Sequence, residues 1–438
     1  MNTKILIALA AAVGVGAVAL FGGVFDRSPS TPASALAESQ SAQDFKAGFS
    51  LGGSTASLVA QLQSQLALNT KDEHSWVLLG LAYQQRARET GDPTYYAKSD
   101  GALKQARALN GKDELVYSGL GSLALSRHRF REALALGEKA HALNPYDARN
   151  YGVIGDALVE LGRYREAFRA FDRMNKLRPS LSSYARVSYG RELIGRTAAA
   201  IHAMKLAVDA ATDTAEPTAW THVQLGKLYF NHGRYADAVR EYRLGNAAFP
   251  GYAYGLDALA QAEAALGHYG RAISLEHEAV DLIPLPQYAG ALGDLYRVTG
   301  HPALARRQYA LIGAIERLLR VNGVKTDLEI ALFDVDHGIR LGHALALARI
   351  GQRDRPSIDG DDVLAWARAR NGQCAEALPY SKAALRLGTQ DALKFFHRGM
   401  IERCLGHAGE ARRWFRRALA LNPKFSLIWS PVARRYAR

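Results

Sequence analysis

Few residues in this chain are suited to chemistry. Asp334, Asp336, His337 and His343 combine carboxylates with imidazoles, the ligand types a divalent metal takes, and Asp334 and His337 are spaced to share one face of a helix. The plainer reading is that Gly338 ends that helix, leaving Asp336 and His337 as a polar turn that caps it and answers its dipole. Gly48-Phe49-Ser50-Leu51-Gly52 matches the G-x-S-x-G nucleophile motif, but that motif works on a sharp turn out of a sheet strand, and no strand pattern precedes it. Arg412, Arg413, Arg416 and Arg417 fall at i, i+1, i+4 and i+5, a stripe along one helix that suits anionic lipid, an acidic partner or nucleic acid. A solvated helix face explains the same stripe. The chain has only two cysteines, Cys374 and Cys404, which excludes a multi-cysteine zinc or iron–sulfur site.

The elements that must position these residues are helical. In 438 residues, 48% are apolar and 22% charged, which excludes intrinsic disorder. The apolar fraction rests on alanine, leucine and glycine, and alternating runs of Val, Ile and Thr are scarce, which disfavours a large sheet. The net charge of +13 is local: Ala392 to Arg438 holds eleven Lys and Arg against two acids, so that segment carries nine of the thirteen.

Residues Ile5 to Phe25 are uncharged and almost wholly apolar. As a helix they extend about 31 Å, enough to cross a bilayer core. A cleaved signal peptide is the alternative, but its small-x-small site, Ala35-Leu36-Ala37, lies well beyond the end of the apolar stretch, which favours a retained anchor. Lys4 and the amino terminus then stay in the cytoplasm and the rest of the chain lies outside it. Residues 1–27 are thus read as anchor or signal segment. The Ser/Pro/Gly-rich residues 28–54 read as a flexible tether.

A repeat organises the remainder. Pro145 and Pro179 are 34 residues apart, as are Pro250 and Pro284, and Pro423 closes a further unit. The unit ending at Pro179 carries Tyr151, Ile154-Gly155, Leu158, Gly162, Tyr164, Ala167 and Phe171. The same register gives Tyr117, Leu120-Gly121, Phe130, Ala133 and Ala140, then Leu225-Gly226, Tyr229, Gly233, Tyr235, Ala238 and Tyr242, then Phe395, Gly399, Gly406, Ala411, Phe415 and Ala418. This pattern resembles the tetratricopeptide repeat. About ten units run from Glu73 to Phe425, with a half unit before them at Leu58 to Leu68. The resemblance implies an all-α, right-handed α-solenoid of antiparallel helix pairs over residues 55–425, in which each pair buries its apolar face against its neighbours. Residues 426–438 are expected to form a capping helix and basic tail, with Trp429 and Tyr436 covering the last pair.

The family's concave groove, lined by first helices, implies a scaffold that binds a partner protein or peptide. Its groove positions correspond here to Arg149, Asp156, Lys227, Phe230, Asp257, Gln261, Asp294 and Arg297, a mixed set without a ligand signature. Successive helices of such a stack are antiparallel, which brings the start of the helix at Cys374 beside the end of the helix at Cys404. The two could form a disulfide in an oxidising compartment, or could be unrelated small core residues. The expectation is therefore a membrane-tethered, extracytoplasmic scaffold without catalysis or cofactor, with anionic lipid or an envelope polyanion as a further partner and nucleic acid disfavoured. The alternatives are a metal-dependent enzyme or binder at Asp334, Asp336 and His337, and a polyanion-binding module at the C-terminal arginines.

Overall fold

The computed structural model describes residues 54–211 and 215–438, and every regular element among them is an α-helix. A first helix, α1 (Thr55–Leu68), precedes ten pairs. These are α2 (Glu73–Thr90) with α3 (Thr94–Leu109), α4 (Glu114–Ser126) with α5 (Phe130–Leu143), α6 (Ala148–Glu160) with α7 (Tyr164–Leu177), α8 (Leu181–Leu193) with α9 (Thr197–Asp209), and α10 (Ala215–Asn231) with α11 (Tyr235–Ala248). The other five are α12 (Ala253–Ala265) with α13 (Tyr269–Leu282), α14 (Pro286–Val298) with α15 (Pro302–Val321), α16 (Asp327–His337) with α17 (Leu341–Asp354), α18 (Ile358–Arg370) with α19 (Cys374–Ala384), and α20 (Ala392–Cys404) with α21 (Ala408–Leu421). A short last helix, α22 (Trp429–Tyr436), follows. The all-α repeat architecture expected from the tetratricopeptide pattern is the one observed.

The repeat residues explain how each pair closes. In four pairs an aromatic ring of the second helix lies over a glycine of the first: Phe171 over Gly155, Tyr242 over Gly226, Tyr309 over Gly293 and Phe415 over Gly399. A Cβ at those glycines would sit 2.4, 2.3, 2.2 and 2.7 Å from the ring. Only hydrogen at that position lets the helices approach this closely. Phe171, Tyr242 and Phe415 are almost wholly buried. The turn inside a pair uses a residue at positive φ, as at Gly162 (71°) and Gly406 (81°), where glycine avoids the Cβ penalty. Second helices stop ahead of the repeat prolines, because the residue before a proline is driven out of the helical region. Asn144, Arg178 and Asn422 accordingly cap α5, α7 and α21 in extended backbone.

The helices form two compact units. One contains the described residues up to Val187 together with Leu206–Thr218 and Arg317–Lys325; the other contains Ser188–Lys205, Ala219–Glu316 and Thr326–Arg438. Within the first, the Lys325 carbonyl lies 2.7 Å from Nδ1 of His128, which holds His128 at a φ of 56°. Gln85 in turn donates to Glu216 at 3.2 Å. Within the second, Tyr235 donates to Asn422 at 2.6 Å, Asn422 donates to the Phe230 carbonyl at 2.9 Å, and Thr389 donates to the Leu193 carbonyl. Each unit is thus closed by contacts between segments distant in sequence.

Candidate binding surface of the first helices

In the first unit, first helices of four successive pairs line one cavity of about 50 Å³. Leu81 comes from α2, Leu115, Ser118, Gly119 and Ser122 from α4, Arg149 and Val153 from α6, and Ser182 and Arg186 from α8; Met174 of α7 completes the wall. Buried polar contacts hold the helices around it. Ser122 donates to Gln84 at 2.8 Å, and Gln84 donates to the Gly119 carbonyl at 3.0 Å. Arg149 pairs with Asp147 at 2.6 Å, and Arg186 with Asp156 at 2.8 Å. Burial pushes the Asp156 carboxyl up to about 6, against the pull of Arg186. Glu114, beside Arg149, is pushed up to about 7, first by burial and then by the Asp147 charge. The cavity thus has largely apolar walls and two guanidiniums whose charge is already answered.

The remaining residues implied by the family groove lie in the second unit, most of them engaged with neighbouring helices. Lys227 lies 4.0 Å from the centre of the Tyr254 ring and 2.5 Å from its hydroxyl. Asp257 is buried and accepts from Gln261 at 2.8 Å. The ring of Phe230 lies against Tyr235. Asp294 accepts from Tyr309 at 2.7 Å and from His337 at 2.8 Å. Arg297 is exposed. Ser118, Ser122, Ser182 and Arg186, which line the cavity, were not among the expected residues.

The Asp334 cluster is taken apart by the fold. Asp334 is fully buried and accepts from Arg340 at 2.8 Å, with His343 at 3.7 Å. Asp336 faces the other way and accepts both indole N–H groups of Trp366 and Trp429, at 2.8 and 2.9 Å. Burial pushes the Asp336 carboxyl up, with His397 and the two indoles opposing. His337 turns to a third set of partners: Nδ1 lies 2.7 Å from the Phe333 carbonyl and Nε2 lies 2.8 Å from Asp294. Two acceptors on one ring are both satisfied only by the imidazolium. Burial pulls its pKa down, but the hydrogen bond and charge of Asp294 outweigh that and leave it raised. Gly338 caps α16 in the left-handed region at φ 68°. Among the described residues no group of three or more His, Cys, Asp or Glu is placed to hold a metal ion. The metal reading is corrected accordingly: one residue secures a turn, one a helix and one an interhelical ion pair.

Cys374, at the start of α19, and Cys404, at the end of α20, are joined in a disulfide with their α-carbons 6.0 Å apart. Arg412, Arg413, Arg416 and Arg417 are all exposed on α21, with Phe415 pointing into the core. Ile5–Phe25 and Gly48–Gly52 lie outside the described residues. Among the described residues no helix is long and apolar enough to cross a membrane.

No protein-family model matches the chain, and no curated protein matches it. Among solved structures it is similar to YrrB, described as a TPR protein with an unusual peptide-binding site, at 21% identity over 44% of this chain and 96% of that one, with a TM-score of 0.29. It is also similar to PilF of Pseudomonas aeruginosa, at 16% identity over 55% and 99% of the two chains, TM-score 0.36. The human IFIT1 dimer structure aligns at 12% identity over 84% and 94%, TM-score 0.46.

Proposed function

We propose that this stack of tetratricopeptide-like pairs is an extracytoplasmic scaffold, held at a membrane by Ile5–Phe25, which binds a partner protein or peptide on its first helices and performs no catalysis of its own. The observation that carries this reading is the cavity shared by α2, α4, α6 and α8. A pocket assembled from four successive first helices exists only when the repeats are stacked, and its lining mixes apolar side chains with hydroxyls and two guanidiniums, which offers a partner side chain both kinds of contact. The Cys374–Cys404 disulfide supports the placement outside the cytoplasm, since disulfides persist in oxidising compartments.

The test is affinity capture from membranes with the full chain as bait, using the wild type and a Ser118→Trp variant that fills the cavity, with chelator washes in parallel. The proposal expects a small set of polypeptides retained through chelator and lost from the variant. Retention that ignores Ser118→Trp, or that disappears with chelator, would count against it.

A further inference from the structure

The arginines of α21 are followed by further exposed arginines on the next helix. Arg434 and Arg435, on α22, are exposed as well. The segment from Ala392 to Arg438 has only two acids, and both are already engaged: Glu410 with Arg413, and Glu402 with Arg398 and His407. None of Arg412, Arg416, Arg417, Arg434 and Arg435 forms an ion pair among the described residues. Their contacts are neutral. Arg416 donates to the Ala437 carbonyl at 2.9 Å and Arg434 to the Pro423 carbonyl at 2.9 Å, while Arg417 stacks 4.1 Å from the Phe395 ring. These contacts fix where the guanidiniums stand without neutralising them.

We propose that the exposed arginine face of α21 and α22 docks on an anionic phospholipid surface, so that the scaffold is applied to a bilayer at its C-terminal end by charge alone. The inference rests on the tethered reading above, which puts the chain beside a membrane. Three observations select this occupant. The charge is spread over exposed positions of two successive helices, which matches a sheet of headgroups better than one extended peptide. The exposed basic residues are almost all arginines, whose planar fork binds phosphate oxygens in pairs. No large apolar side chain beyond Ile350 is exposed among the described residues, so the contact is adsorption at headgroup level without insertion.

Each arginine at an anionic surface contributes about fivefold in partitioning, so reversing four of them lowers it by at least several hundredfold. The experiment uses the full chain reconstituted in phosphatidylcholine vesicles. These are mixed with a second, fluorescent population made of phosphatidylcholine alone or of phosphatidylcholine with phosphatidylglycerol, and capture of the second population is read by flotation. The proposal expects capture of the phosphatidylglycerol vesicles only, loss of capture at high salt, and loss in the quadruple variant Arg412→Glu, Arg413→Glu, Arg416→Glu, Arg417→Glu. Arg434→Glu with Arg435→Glu, on the other helix, gives an independent loss should the quadruple variant fold poorly. If the chain does not float with its host vesicles, the tethered reading fails, and direct flotation of the unanchored chain on each lipid then reads the arginine face. Equal binding to both lipids, or binding unchanged in both variants, overturns the proposal. So does retention of polyglutamate or of nucleic acid while phosphatidylglycerol vesicles are ignored.

Discussion

Replacing Gly155 by alanine sets two effects of opposite sign against each other. In an open helix the change stabilises by about 1 kcal/mol, because glycine pays more backbone entropy. At Gly155 the new Cβ would sit 2.4 Å from Phe171, where 3.4 to 4 Å is ordinary contact, so the ring must retreat by the difference. Phe171 is 1% exposed, packed inside the pair. Overpacking of this kind costs about 1–3 kcal/mol. The expected net effect is a loss of about 1 kcal/mol at Gly155, against a gain of 0.5 to about 1 kcal/mol for Gly101→Ala, whose Cβ meets nothing within 4 Å on the exposed face of α3. Stacked repeats unfold in segments, so the assay is amide hydrogen exchange read on α6 and α7 for one variant and on α3 for the other. Phe171→Leu added to Gly155→Ala should recover part of the loss, since the two positions are coupled through one contact. The reasoning is refuted if Gly155→Ala protects α6 and α7 as well as Gly101→Ala protects α3.

Asp336→Ala should leave the indole N–H groups of Trp366 and Trp429 without their shared acceptor, at about 1–3 kcal/mol, and release α22; near-ultraviolet circular dichroism of the tryptophans checks it. Reducing the Cys374–Cys404 disulfide, which closes a separation of 30 residues, should cost about 3–4 kcal/mol by loop entropy, read as lost exchange protection confined to α19 and α20. The raised pKa of His337 gives a signed pH dependence. Its stabilisation is complete below the ordinary histidine value of about 6.5 and is lost as pH rises through the elevated folded value. His337→Gln should therefore destabilise α14 and α16 most at acidic pH and flatten their dependence between acidic and mildly alkaline buffer, measured by exchange across that range.

The repeat was legible because it rests on a steric rule that shows in residue type. A glycine on a first helix and an aromatic on the second recur at one spacing in the pairs that contain Gly155, Gly226, Gly293 and Gly399, and the prolines mark where second helices end. The cavity was less legible. Ser118 and Ser122 on α4 occupy the same repeat offsets as the residues chosen by charge elsewhere, but small hydroxyls carry no signal by type. The charged choices Asp156 and Asp257 proved buried, since an acid on a first helix can face a neighbouring helix as readily as solvent. The helix end at Gly338 was legible, while the metal alternative at the Asp334 cluster failed for a related reason. Sequence spacing put Asp334 and His337 on one helical face, whereas the partners that decide their roles, Arg340, Asp294, Trp366 and Trp429, come from other parts of the chain. The closure of each unit, through His128 with Lys325 and through Asn422 with Phe230, has no local sequence signature at all.

The central claim, that the first helices present the recognition surface, is tested most directly by site-specific photo-cross-linking in the native membrane. A photoreactive side chain is placed at Ser118 in the cavity and, as a control, at Arg173 on the exposed face of α7, with thermal melting to confirm that both variants fold. The account predicts a discrete protein adduct from Ser118 and none from Arg173. Adducts from Arg173 alone, or from neither position while the chain still captures its partner, would contradict it.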